Sequence, residues 1–397
     1  MTRKTTRLAA LTLALLTAAT AVPASATTSD VRELRRIAEA AVAAGVPGVV
    51  VRVDTGRGPA VEVVRQAAWT TADHELAAGD RFRMGSNTKT VTATLVLQLV
   101  GEHRLALDDT VEKWLPGLVP NGRNITLRML LNHTSGIADY AYEVLPVITG
   151  QAPLPTPLEL LAIGTGLPVK SAPGQEFHYS NTGYTALGLV LEKVTGRTLP
   201  DLVQRRIARP LGLKDTFLPD GAVPRIAHGY EPDAAHLAPI LPPGTPEGFG
   251  FVGPVHDEHV NVTGLDQSWD DAAGSIVSTT ADWARFDRAL LAGELFPRRL
   301  LAEMRPSIVE DETGVNRSYG LGLEEYRSPC GTVWGHDGAL PGYRSDNFAD
   351  PSGRRTVSIL STTHFGLKAN AEAGAAEDRL VDAAICVMLG KPIPAAG

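Results

Sequence analysis

The chain has 397 residues, 44% of them apolar and 20% charged, with a mean hydropathy near zero. That is enough apolar material for a substantial core and excludes a disordered or fibrous protein. A balance of 37 basic against 44 acidic residues, net charge −7, excludes a broad electrostatic grip on nucleic acid. Two cysteines are too few for a disulfide scaffold or a Cys-rich metal site, though they can form one bridge.

At the N-terminus Arg3, Lys4 and Arg7 precede an apolar run from Leu8 to Val22, and Ala24-Ser25-Ala26 supplies the small residues a signal peptidase requires. This is the pattern of a secretory signal peptide, residues 1–26, cut after Ala26. The apolar run of about 15 residues falls short of the ~20 that span a bilayer. Its removal leaves a mature chain three charges more acidic, with no visible membrane anchor. In an oxidising compartment Cys330 and Cys386 can either pair, closing a loop of about 55 residues, or remain buried thiols.

In chain order, a one-faced helix is expected from Val31 to Ala44, then two antiparallel strands at 48–53 and 60–64. The uncharged run from Asn87 to Val100 predicts a helix buried on nearly all sides, ended by Gly101. From about 105 to 270 the pattern is helix and loop with proline-rich connections and few strand signals. A capped helix follows Ser278-Thr279-Thr280-Ala281-Asp282, then strands at 319–323, 331–334, 343–349 and 356–361, the last two paired across Asp350-Pro351-Ser352-Gly353. Strands at both ends and helices between them predict one antiparallel sheet built from both termini, with flanking helices and an inserted, mostly helical lobe. The expected divisions are an α/β (α+β) lobe at about 27–105 and 271–397 and a helical lobe at about 106–270, with 27–397 forming one catalytic unit.

Three segments carry chemistry. In Ser86-Asn87-Thr88-Lys89 a spacing of three places the lysine one helical turn from the hydroxyl, where a desolvated amine can take the serine proton. Burial in the apolar helix lowers the lysine pKa, and the helix start favours an oxyanion. In Tyr179-Ser180-Asn181 the phenol can relay a proton and the amide can orient a lysine or hold a substrate carbonyl, while Ser180 or Asn181 also caps the helix that follows. In Trp334-Gly335-His336-Asp337-Gly338-Ala339 the glycines admit a substrate backbone to the strand edge, and the histidine brings a cation or donor beside the nucleophile.

In this order the three segments resemble the active-site serine penicillin-recognising family of DD-carboxypeptidases, class C β-lactamases, esterases and D-aminopeptidases, in the variant with Tyr-x-Asn and His-x-Gly. The likeness runs from about Val31 to Lys391 and is greatest for the secreted D-alanyl-D-alanine carboxypeptidases of actinomycetes. It includes Leu130-Leu131-Asn132-His133-Thr134-Ser135-Gly136, with His133 structural, as well as Tyr319-Gly320-Leu321-Gly322-Leu323, Trp269 and the Cys330/Cys386 pair.

The resemblance implies a β-lactamase/transpeptidase-like fold and an acyl-enzyme on Ser86, with Lys89 and Tyr179 moving protons and His336 tuning both. It implies substrate contacts from Asn181, Trp269, Asp337, Gly338, Ala339 and Glu324, and an oxyanion hole from the Ser86 and Ala339 N–H groups. It implies neither metal nor cofactor. The expected function is a secreted, monomeric D-Ala-D-Ala carboxypeptidase acting on peptidoglycan-type peptides, with β-lactams as inhibitors or substrates and no nucleic-acid partner.

One departure bears on the substrate. Where the carboxypeptidases hold the substrate carboxylate with hydroxyls and an arginine, this chain has Asp337, Ala339 and Glu324, so like charges are expected to disfavour a carboxylate substrate unless Arg344 supplies a cation. A D-stereospecific aminopeptidase, amidase or esterase fits Asp337 better. A β-lactamase and a penicillin-binding sensor that scarcely turns over keep the same motifs. An α/β-hydrolase is excluded because no serine has a glycine two positions before it, and His256-Asp257-Glu258-His259 lacks an evident third metal ligand.

Overall fold

The computed structural model describes residues 26–305, 308–309 and 316–395, so the predicted signal peptide lies outside the described residues apart from Ala26. Helix α1 (Thr28–Ala43) opens with a reciprocal cap in which Thr27 and Asp30 satisfy each other's backbone N–H. The chain continues into strands β1 (Gly48–Asp54) and β2 (Val61–Gln66). Helix α2 (Thr88–Gly101) is buried at every residue from Thr88 to Leu97, as its lack of a charged face predicts. Ser180 caps α3 (Asn181–Thr195), and Thr279 caps α4 (Thr280–Leu291). Strands β3 (Ile308–Val309), β4 (Arg317–Tyr319), β5 (Glu324–Ser328), β6 (Gly331–Leu340), β7 (Tyr343–Ala349) and β8 (Thr356–Ser361) follow, and α5 (Ala371–Leu389) ends at the left-handed Gly390.

The strands form one eight-stranded antiparallel sheet in the order β2-β1-β8-β7-β6-β5-β4-β3. Next to the edge strand β2, β1 pairs with β8, Val49 opposite Ser361 and Asp54 opposite Thr356, so the two ends of the chain share one sheet. Alternation along β1 divides the core. Val49, Val51 and Val53 pack with Leu34 and Ile37 of α1 and with Leu380 and Ala384 of α5. Val50 joins the other face, with Leu95 of α2, Leu187 of α3 and Trp283 of α4.

Two local expectations fail. Of the strand expected at 319–323 only Tyr319, the end of β4, is strand: Gly320-Leu321-Gly322-Leu323 is a turn between β4 and β5, with Gly322 at φ +70° tucked against α2, where a Cβ would lie 2.5 Å from the Ala93 Cβ. Strand β6 does not stop at Trp334 but runs to Leu340, because pairing with β7 outweighs the poor strand propensity of its glycines. In the inserted segment a small sheet of Tyr230–Pro232, His259–Asn261 and Val255–His256 joins the expected helices. Cys330 and Cys386 form a disulfide that ties the start of β6 to the end of α5.

Candidate active site

Ser86 lies in a tight turn, Gly85–Asn87, immediately before α2. The turn is pressed against β6. A Cβ at Gly85, which has φ +52°, would lie 2.3 Å from the Ala339 nitrogen, and one at Gly338 would lie 2.1 Å from the Met84 oxygen. Only glycine permits this approach at both positions. Asn87 secures the turn by donating to Ser345 Oγ on β7 at 2.8 Å, and Met84 N–H donates to Ile276 O at 2.8 Å. Leu340 and Tyr343 flank the two-residue Pro341-Gly342 turn, so alternation leaves Ala339, opposite Arg344, with its N–H directed away from β7. The Ser86 and Ala339 N–H groups can therefore serve one oxyanion.

Lys89 is fully buried, and its ammonium donates to Ser86 Oγ at 3.0 Å, Asn181 Oδ1 at 2.6 Å and Ala273 O at 2.8 Å. The rings of Tyr179 and Tyr184 lie 4.9 and 5.5 Å from the nitrogen. Burial lowers its pKa to about 8, against the opposing pull of Asp270, Asp139, Asp337 and Glu324. A neutral amine is thus within reach near neutrality, placed to accept the serine proton. Tyr179 hydrogen-bonds to the Ser86 side chain. Burial raises its pKa well above the usual range, offset in part by that bond, so it is a phenol that can donate but not a standing phenolate.

Asn181 bridges opposite charges. Its carbonyl faces Lys89, and its amide nitrogen donates to Asp139 Oδ2 at 3.2 Å. Asp139 also accepts the backbone N–H groups of Asn181 and Ala141, each at 3.3 Å, and is partly exposed. Asp270 is buried and accepts the Tyr140 hydroxyl at 2.8 Å; burial pushes its carboxyl up to about 6 against the pull of Lys89. The sequence pattern singled out neither acid, and only their three-dimensional closeness to Lys89 identifies them.

His336 departs from expectation. Burial pushes its pKa down to about 3, so it is a neutral ring and not a cation beside the nucleophile. Its Nδ1 faces the Asp337 carbonyl at 2.5 Å and Glu324 Oε1 at 3.2 Å, which places the proton there, and Nε2 accepts the Tyr319 hydroxyl at 2.8 Å. The Tyr319 ring meets the Tyr179 ring edge-on at 6.2 Å, so His336, by holding the Tyr319 hydroxyl, supports the packing around Tyr179. His133 accepts the Ser180 N–H at 3.1 Å and lies 4.3 Å from the Tyr179 ring, a supporting position as expected.

The premise that Glu324 and Asp337 are bare carboxylates repelling a substrate is also overturned. Arg317 pairs with Glu324 at 2.6 Å and with Asp337 at 3.2 Å, and Arg344 pairs with Asp337 at 2.7 Å and with Asp346 at 2.9 Å. Burial alone would raise the Asp337 carboxyl, but Arg344 and Arg317 hold it well below the usual range. Glu324 is buried within this network, and Arg344 is committed to it. Trp269 exposes 6% of its surface and packs with Tyr140 and Leu340 as a wall.

Among the described residues, Glu324, His336 and Asp337 are the one group spaced for a metal, with ligand atoms within 4.8 Å of one another, but Arg317 already bridges the two carboxylates. His256 pairs with Asp73 at 3.1 Å and His259 stacks on Trp69 at 4.6 Å, so that motif is spent on packing.

A serine, a buried lysine and a phenol joined by hydrogen bonds, under two backbone N–H groups, define a serine acyl-transfer site. The chain belongs to the beta-lactamase family, whose model matches residues 34–381, and is a serine hydrolase. It is 31% identical over 301 residues to penicillin-binding protein 4 of Amycolatopsis lactamdurans, covering 69% of this chain and 71% of that protein. It is 28% identical over 357 residues to the D-aminopeptidase of Brucella ovis, covering 86% of this chain and 62% of that protein. Among solved structures it superposes on a D-stereospecific amidohydrolase from Streptomyces sp. with a TM-score of 0.73 and 35% identity, covering 87% of this chain and 98% of that one. For the D-amino acid amidase of Ochrobactrum anthropi SV3 complexed with D-phenylalanine the TM-score is 0.75 and the identity 27%, with coverages of 89% and 98%.

Proposed function

We propose that the protein is an exported D-stereospecific amidohydrolase that forms an acyl-enzyme on Ser86 and prefers substrates with a free α-amine and no free C-terminal carboxylate. The observation that carries this is the distribution of charge in the cleft. Both arginines flanking the His336-Asp337-Gly338 strand are tied to Glu324, Asp337 and Asp346, whereas the partly exposed Asp139 receives its hydrogen bonds from neutral amides beside Asn181. The group for a substrate amine is therefore Asp139, in place of Asp337. The structural likeness to D-amidohydrolases supports the same reading. A D-Ala-D-Ala carboxypeptidase acting on peptidoglycan stem peptides would need a cation for the substrate carboxylate, and the flanking arginines are spent.

In the forward reaction neutral Lys89 takes the Ser86 proton as the oxygen attacks the carbonyl. The Ser86 and Ala339 N–H groups hold the oxyanion, Tyr179 hands a proton to the leaving nitrogen, and water then resolves the ester. β-Lactams would acylate the same serine.

The test compares kcat/KM for D-phenylalanine amide, its N-acetyl form and an N-acyl-D-Ala-D-Ala peptide. We expect the free amide to be preferred over the N-acetyl form by about 10–100-fold, the range of a charge-assisted contact, and the preference to vanish in Asp139→Asn. Efficient turnover of the free-carboxylate peptide with none of the amide would refute the reading.

A further inference from the structure

The Ala339 N–H is the oxyanion donor that lies outside the Ser86 turn, and it sits at the end of a strand. One residue beyond it the chain turns back through Pro341-Gly342, with Gly342 at φ +80°. The inserted segment grips this tip. Glu231, in the strand Tyr230–Pro232, is completely buried, and its Oε1 accepts the Gly342 N–H at 2.6 Å. The same oxygen accepts the His364 N–H at 3.0 Å, and Oε2 accepts the Gly366 N–H at 3.1 Å and the Thr363 hydroxyl at 3.0 Å. One carboxylate thus joins the β6–β7 tip to the turn after β8. Nearby, Gln267 Nε2 donates to Pro341 O at 2.9 Å, and Tyr343 donates to Ala227 O at 2.8 Å. The backbones of Gly229 and Gly342 touch, since a Cβ on Gly229 would lie 2.6 Å from the Gly342 oxygen.

A buried carboxylate is costly to place, and here it accepts four hydrogen bonds. We propose that Glu231 is a positioning residue for acyl transfer: by holding Gly342 it fixes the Ala339 N–H relative to the Ser86 N–H, and so acts on the rate of acyl transfer, not on substrate binding. The inference rests on the Ser86 acyl-enzyme reading. Ser86→Ala assayed alongside separates the two, because retained activity there would refute that reading while leaving an effect of Glu231 to be explained otherwise.

The experiment measures kcat and KM for p-nitrophenyl acetate with Glu231→Ala and Glu231→Gln in the full chain, with rates expressed per folded molecule from near-UV circular dichroism. Misplacing one oxyanion donor predicts a fall in kcat of about 10–100-fold for Glu231→Ala with KM within about 3-fold. Glu231→Gln, which keeps an acceptor for Gly342, is expected to recover most of that loss. Unchanged kcat per folded molecule, a change confined to KM, or equal losses in both variants would overturn the proposal. If neither variant folds, Gln267→Leu decides by the same ratio, with a kcat loss at constant KM supporting the proposal and an unchanged kcat overturning it.

Discussion

Lys89 is where the electrostatics of the cleft converge, because it is a buried cation touching the serine and it lies within the field of Asp270 and Asp139. The reactive form is the neutral amine, whose population rises as pH rises through about 8. The kcat/KM for an ester or amide is therefore expected to climb with pH along a limb centred near 8. Asp270→Asn removes a negative charge that favours the ammonium, lowers the lysine pKa further and moves that limb to lower pH; a pH–rate profile of both proteins checks it. Tyr179→Phe removes the proton donor and should lower kcat about 10²–10⁴-fold, read in steady-state kinetics. Ser86 and Lys89 were legible in the sequence because their relation is local, one turn of a helix. Asp139 and Asp270 were not, because nothing near either in sequence distinguishes it from a surface acid until folding brings both to the lysine.

At the scale of the element, β6 determines whether the site exists. Its Gly338 lies against the backbone of the Ser86 turn, so Gly338→Ala forces a Cβ to within 2.1 Å of the Met84 oxygen. The strand or the turn must shift, and a loss of about 100-fold in kcat/KM is expected in an ester assay. The glycines that permit this contact also hid the strand, since propensity ends it at Trp334, and only the ladder from Trp334–Ala349 to Leu340–Tyr343 carries it on. Residues 343–349 and 356–361 were legible to the residue because their alternation and the intervening turn agree. The small sheet at 230–261 was not, because strands of two or three residues leave no period to read. The disulfide fastens β6 to α5, and Cys386→Ala should cost about 2–4 kcal/mol in denaturant unfolding.

Across the whole molecule, a chain whose two ends share one sheet has its helices on both faces and its inserted segment at the cleft. The one-faced pattern of α1 and the uncharged run of α2 foretold how much of each would be buried: one stripe of α1 and nearly every side of α2. Asp337 and Glu324 were poorer guides. Read as bare charges they suggested repulsion of a carboxylate substrate, yet both are paired with Arg317, and Asp337 also with Arg344, through contacts between strands that sequence position does not encode. We propose export with cleavage after Ala26, which would make Thr27, the cap of α1, the mature N-terminus; N-terminal sequencing of secreted protein should begin at Thr27. The central claim, an acyl-enzyme on Ser86, is tested most directly by intact-mass measurement after incubation with benzylpenicillin. A single penicilloyl adduct on the wild type, mapped to the peptide containing Ser86 and missing from Ser86→Ala, is the predicted result. An adduct of the same size and yield on Ser86→Ala would contradict it.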